Sequence, residues 1–234
     1  RNREILESYA RRINPSDAGA HNNLGVLYFS QGMIDQAVEQ LSRALQLDPR
    51  MQVARRNLEI AQRKSGHFER RATELRELLR SDPNDREARW ELGCAYSSLN
   101  QFEAAASEFE ALIARDPGDV AAMIQLANVE KARGQVTAAT EWLEKASEVD
   151  ANSSVVRFHM GEMLCNRGLN TEALAALQKA IELSPDYAEA HHLMSFVLGD
   201  LGRHREANEA SKRATALNPA YGQAQTNLSL ERLA

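Results

Sequence analysis

Apolar residues recur along this chain at helical spacing, as in Leu24, Val26, Leu27 and Tyr28 followed by Ile34, Ala37, Val38, Leu41, Ala44 and Leu45. Steps of three and four residues lay one apolar stripe along a helix. The stripe is interrupted on a strict schedule. The six prolines, Pro15, Pro49, Pro83, Pro117, Pro185 and Pro219, fall on one lattice of 34 residues, with Ala151 at the single vacant node. A second lattice, offset by 17, carries Gly32, Gly66, Asn100, Gly134, Gly168 and Gly202, residues that accept the left-handed conformation ending a helix. Two interruptions per period mean two helices per period. The pattern predicts helices over 18–31 and 34–47, 52–64 and 68–80, 86–98 and 102–114, 120–133 and 136–148, 154–167 and 170–182, 188–201 and 204–216, with a last one over 222–233. Asn14, Asp48, Asp82, Asp116, Asp150, Ser184 and Asn218 precede the nodes; their side chains are suited to bonding nearby backbone donors and fixing the turn.

The stretch HNNLGVLYFSQGMIDQAVEQLSRALQLDP, residues 21–49, resembles a tetratricopeptide repeat, whose pattern runs aromatic, Leu-Gly, Tyr, Ala, aromatic or Leu, Ala, Pro. The resemblance covers nearly the whole chain. It implies an all-α fold, a right-handed α-solenoid of stacked antiparallel helix pairs, because a single pair cannot bury its apolar face without a neighbour. Six repeats are expected, over 18–51, 52–85, 86–119, 120–153, 154–187 and 188–221. Small residues Gly25, Gly93, Ala127, Gly161 and Ser195 in the first helices are expected to face Ala37, Ala105, Ala139, Ala173 and Ala207 in the second, which lets the backbones approach closely.

Residues 1–14 fit the second helix of a preceding repeat, so the chain reads as a piece of a longer protein. Its Ile5, Leu6 and Tyr9 would present an apolar face that upstream repeats cover or that pairs two copies into a homo-oligomer. Residues 222–234 read as a capping helix or the start of a seventh repeat. The second repeat departs from the small-residue rule, with Glu59 and Arg71 at the two facing places. Either they form an ion pair across the helix pair, or both extend to solvent on a loosened repeat.

Composition agrees with an ordered helical chain: 43% hydrophobic and 26% charged residues, with few glycines and prolines. The net charge of −5 argues against a nucleic-acid protein as a whole, and no nucleic-acid partner is expected, since phosphate binding needs a basic footprint. Charge is nonetheless uneven. Residues 50–80 hold nine Arg or Lys against four Glu, and residues 82–119 hold nine Asp or Glu against three Arg. The basic stretch either attracts an acidic peptide or is a solvated surface. No apolar run reaches membrane length, so direct membrane insertion is not expected. Cys94 and Cys165 lack any disulfide or zinc-ligand spacing and read as free thiols in a reducing, cytoplasmic setting.

No set of residues converges on catalysis. The histidines, His21, His67, His159, His191, His192 and His204, are scattered, and no phosphate-cradling glycine run is present. No cofactor, no metal and no enzymatic activity are expected.

The resemblance implies that the first helices line a concave groove. Carried over by position, that groove includes Asn22, Asn23, Val26 and Phe29, then Arg56, Asn57, Ile60 and Arg63. Trp90, Cys94 and Ser97 follow, then Ile124, Gln125, Asn128 and Lys131, then Phe158, Glu162 and Cys165, and finally His192 and Phe196. Asn amides suit an extended peptide because one side chain donates to a carbonyl and accepts from an N–H. Asn23, Asn57 and Asn227 share one place with Gln125, resembling part of the asparagine ladder in the arm of O-linked N-acetylglucosamine transferases; Glu91, His159 and Leu193 interrupt it. Trp90, Phe158 and Phe196 read as aromatic anchors, whereas Trp142, on a second helix, reads as packing. The Lys and Asn places with which some family members clamp acidic chaperone C-termini are not reproduced. The expected function is a non-catalytic scaffold that binds a protein or peptide, as an extended segment or a partner helix. Two alternatives stay open: the recruiting arm of a larger enzyme such as a glycosyltransferase, and a self-assembling scaffold in bacterial envelope or organelle assembly.

Overall fold

The computed structural model describes residues 14–221. Among them are twelve α-helices and a short 3-10 turn, with no strand. They are α1 (Ala18–Ser30), α2 (Ile34–Leu47), α3 (Gln52–Lys64), α4 (His67–Ser81), α5 (Arg86–Ser98), α6 (Phe102–Arg115), α7 (Val120–Ala132), α8 (Val136–Val149), α9 (Ser154–Asn166), α10 (Asn170–Leu183), α11 (Ala188–Asp200) and α12 (His204–Leu217). The turn Pro219–Tyr221 follows. Each boundary predicted for these helices falls within one residue of the observed one. The helix expected over residues 1–14 with its apolar Ile5, Leu6 and Tyr9, the closing helix over 222–234 and Asn227 lie outside the described residues, Asn14 excepted.

The two lattices are two kinds of turn. At the glycine places the backbone is left-handed, with φ between 72° and 77° at Gly32, Gly66, Gly134, Gly168 and Gly202 and 57° at Asn100. Asparagine stands in there because it tolerates this region better than other residues with a Cβ. At five of the nodes the preceding side chain closes the turn as expected: Asp48, Asp82, Asp116 and Asp150 accept from the backbone N–H two residues on at 2.9–3.1 Å, and so does Asn14, whereas Ser184 makes no such bond. Two residues past the node, Asp17, Asp85, Asp119 and Ser153 cap the next helix by accepting from the N–H three residues further. Six residues past it, Arg55, Arg89, Arg157, His21 and His191 reach back to the node's own carbonyl at 2.9–3.3 Å. Two histidines are thereby accounted for as turn fasteners.

The described residues divide into two compact units, 14–70 and 71–221, with α4 beginning in the first and continuing in the second. In the first unit, Leu24, Tyr28 and Ala37 join α1 to α2, and Val26, Leu41 and Ala61 bring in α3. In the second, Ala72 and Leu75 pack with Ala88, Leu92 and Ala95. Ala105, Ala106 and Phe109 of α6 meet Leu126 and Val129 of α7. Met123 and Ala127 of α7 meet Leu143 of α8 and Val156 of α9, and Leu177 of α10 meets Val197 of α11. Each cluster is built from elements close in sequence, the one-dimensional packing of a solenoid.

The close approach within pairs has a second partner that the sequence did not suggest. A Cβ built on Gly25 lies 3.2 Å from the Ala37 carbonyl oxygen, as the small-against-small expectation requires, but only 2.6 Å from Leu41 Cγ. At Gly161 the contacts are Ala173 O at 3.4 Å and Leu177 Cγ at 2.8 Å, and at Gly93 the Phe109 ring stands at 2.8 Å. The missing side chain therefore makes room for a large residue on the second helix. Glu59 and Arg71 each take a partner within their own unit. Glu59 accepts from Arg63 at 3.0 Å, while Arg71 bonds Glu91 and Glu74.

Candidate functional site

The first-helix residues predicted to line a groove separate into three groups. Asn22 and Asn57 are fully buried. Asn57 Nδ2 donates to Asn22 Oδ1 at 2.8 Å, and Asn22 Nδ2 donates to Asn23 Oδ1 at 3.3 Å. These amides bond one another where α1 and α3 pack, so Asn22 and Asn57 present no surface to a guest, a correction to the expected ladder. Val26 and Ile124 are likewise buried, because their stripe turns toward the neighbouring helix.

A second group is half-committed to the protein itself. Phe29 packs on the clusters of α1, α2 and α3. Trp90 meets the Phe109 ring edge-on at 5.6 Å, with the Arg86 guanidinium 5.7 Å from its centroid. Arg86 also bonds Asp119 at 2.7 Å. Arg63 is held by Glu59, while Arg56 is exposed. Other cations of the basic stretch are engaged locally: Arg80 by Glu77, Arg55 by the Pro49 carbonyl and Arg70 by the Ser65 carbonyl. These bonds fix several of the side chains and leave the stretch's excess of positive charge in place. Gln125 and Asn128 are half-buried on α7. Trp142 packs between clusters as expected, with Lys145 Nζ 4.0 Å from its ring centroid.

The third group converges. Lys131 Nζ of α7 donates to Glu162 Oε1 of α9 at 3.0 Å, and His159 Nδ1 lies 3.2 Å from Glu162 Oε2. Phe158 packs beside His159 and against Tyr187, with ring centroids 5.3 and 5.0 Å apart. His192 meets Phe196 edge-on at 4.8 Å and stacks on Tyr221 at 4.1 Å and 22°. Phe196 is 58% exposed, an uncommon state for a phenylalanine. Sequence reasoning missed Tyr187 and Tyr221. They occupy the place two residues past a proline node, where Asp17, Asp85, Asp119 and Ser153 cap helices; an aromatic at a capping place was the available signal, and Tyr187 makes no side-chain cap.

The electrostatics follow from this packing. The bond to His159 and the charge and bond of Lys131 hold the Glu162 carboxyl down at about 2, against the opposing effect of burial. Burial, with help from the Glu189 and Glu162 charges, pushes Tyr187 up to about 12. Burial also lowers His192 and raises the Cys94 and Cys165 thiols, with nearby carboxylates adding to the thiol effect. Both cysteines are free and half-buried, and their raised pKa suits packing over nucleophilic chemistry. For Glu162 the lowered pKa means stability that is present above the ordinary carboxyl value of 4.5 and lost as pH falls through about 2. Glu162→Gln is therefore expected to unfold more easily than the parent at about pH 7 and to approach it as the pH drops through that window. Urea unfolding across a pH series measures the gap; a gap that stays constant into strong acid would show that the carboxylate is not held by these partners.

Four family models match the sequence. They are described as tetratricopeptide repeat over residues 18–51, 98–158 and 188–221 and as TPR repeat over 161–202. The chain belongs to the tetratricopeptide repeat family. Among solved structures, this TPR chain is similar to a MamA crystal structure at 19% identity and TM-score 0.56, over 71% of this chain and 98% of that one. A MamA structure labelled AMB-1 matches at 26% identity and TM-score 0.52, over 70% and 97%. Pseudomonas aeruginosa pilF matches at 19% and 0.54, over 88% and 95%. No curated protein matches the sequence. TPR chains are interaction modules, and no helix among the described residues is long and apolar enough to cross a membrane.

Proposed function

We propose that this TPR protein is a non-catalytic scaffold, carrying six repeats, whose first-helix faces hold an extended segment or a helix of a partner protein. The observation that carries the reading is the face shared by α7, α9 and α11. There a half-buried Lys131–Glu162 pair sits beside the rings of His159, Phe158 and Tyr187, and a second ring group, Tyr221, His192 and the exposed Phe196, lies on α11 and the turn after α12. Ring surface supplies most of the binding energy in such sites, and fixed polar groups set register. The rings are held in place by one another, so a guest would pay little to order them. Asn23, Phe29, Arg56, Arg63, Trp90, Gln125 and Asn128 remain proposed contacts on the other first helices.

The test is affinity capture from the native source with the intact protein, run alongside Phe196→Ala, Lys131→Glu and a control, Arg43→Ala, on a second helix. A genuine guest is expected to be captured by the parent and by the control and to be reduced by about tenfold or more in Phe196→Ala, the loss of about 1.4 kcal/mol or more typical of an aromatic anchor. Capture that ignores both first-helix changes would place binding elsewhere on the protein.

A further inference from the structure

Within the proposed binding face, one stripe of α11 has a composition of its own. Glu189, His192, Phe196 and Asp200 follow one another at intervals of three, four and four residues, which places them within about 80° of the helix circumference. The stripe is acidic at both ends and aromatic in the middle. Tyr221 extends the aromatic part by stacking on His192.

Charge on this face is not balanced. Its ammonium group, Lys131, is already bonded to Glu162. Glu189 and Asp200 are exposed and make no ion pair among the described residues. Of the cations on neighbouring turns, Arg203 bonds Glu206 and Arg213 bonds Asp186, while Arg167, in the turn after α9, is exposed and makes no ion pair among the described residues. The charges of Glu189, Glu162 and Asp200 reach the groups around them: the first two act on Tyr187, and the last two on Cys165.

We infer that this stripe receives a cationic side chain, a lysine or arginine of the guest segment, lying over the Phe196 and Tyr221 rings between Glu189 and Asp200. Ring faces are negative and attract a cation within about 6 Å of the centroid. Asp200, one turn from Phe196, then gains a nearby cation as the guest excludes water, while Glu189, about two turns away on the same helix, adds only a longer-range attraction. An uncharged guest would desolvate them without compensation, and an acidic one would add repulsion. The guest is thus opposite in sign to an acidic peptide.

The inference rests on the groove reading, and the experiment separates the two. Intact protein is immobilised and offered three pools of peptides of about nine residues, random at the flanks and fixed at the centre as lysine, acetyl-lysine or glutamate. The lysine pool is expected to be retained about tenfold over the glutamate pool and about threefold over the acetyl-lysine pool, the scale of a partly desolvated cation–aromatic contact. Phe196→Ala should remove most of that preference, and the double change Glu189→Lys with Asp200→Lys should reverse it. Equal retention of the lysine and acetyl-lysine pools, or a preference untouched by the double change, overturns the inference. If the glutamate pool binds best in a Phe196-dependent way, the face is a binding site and only the cation assignment falls. If no pool is retained above a bare support, the groove reading and the inference fall together.

Discussion

Phe109→Ala is expected to lower the free energy of unfolding by about 3–5 kcal/mol, the range for truncating a fully buried aromatic ring. The ring is 0% exposed on α6 and occupies the space left by Gly93 on α5, which has no side chain with which to fill the vacancy. Trp90 rests edge-on against the same ring and would lose its support. Urea unfolding followed by circular dichroism measures the loss. A decrease below about 1.5 kcal/mol would show that the helices close over the cavity. The partner change sharpens the test. Gly93→Val forces methyl groups into the ring and should destabilise the parent by about 1–3 kcal/mol. In the Phe109→Ala background the same valine fills vacated space, so the two losses should fall short of their sum.

Asn57→Asp should be the most damaging isosteric change in the first unit. Asn57 is 0% exposed and donates from Nδ2 to Asn22 Oδ1 at 2.8 Å. An aspartate there has lost its donor and faces an acceptor, while its charge is removed from water, at a cost of about 3 kcal/mol or more. The pH dependence has a definite sign. Burial and the facing oxygen raise the carboxyl pKa in the folded state above its unfolded value, so the folded variant binds its proton first. The deficit relative to the parent should therefore shrink as pH falls below the folded pKa, when the protonated acid can donate to Asn22 again. Thermal melts of both proteins from about pH 8 to about pH 4 read this out. A deficit independent of pH would mean that Asn22 and Asn57 are not paired through that bond.

These two sites mark the limit of what the chain's pattern conveys. Helix positions, the left-handed residue between paired helices and the Asx-closed turns at Pro15, Pro49, Pro83 and Pro117 are legible from sequence, because each depends on groups a few residues apart. Asp48 reaches Arg50 and Asp85 reaches Ala88 whatever the rest of the chain does. The repeat period alone then implies stacking, since an amphipathic pair needs a neighbour on each side. The TPR assignment follows from the same local regularities.

The site was legible only in part. Placing Asn22 and Asn57 on an open face assumed that a shared place in the repeat implies a shared environment. Lys131 was expected to face a guest, yet it bonds Glu162, 31 residues away; Asn57 bonds Asn22, 35 residues away. Such contacts join successive first helices, and whether a side chain meets its neighbour or water depends on the rotation between adjacent helix pairs. Periodicity sets the angle of a residue on its own helix and is silent about that rotation. The sequence by itself therefore determined the helices, their turns and the repeat family. The tertiary structure decided which polar first-helix residues satisfy one another and which, such as Glu189, Phe196 and Asp200, remain open to a partner, because that choice is made by side chains packed across the stack.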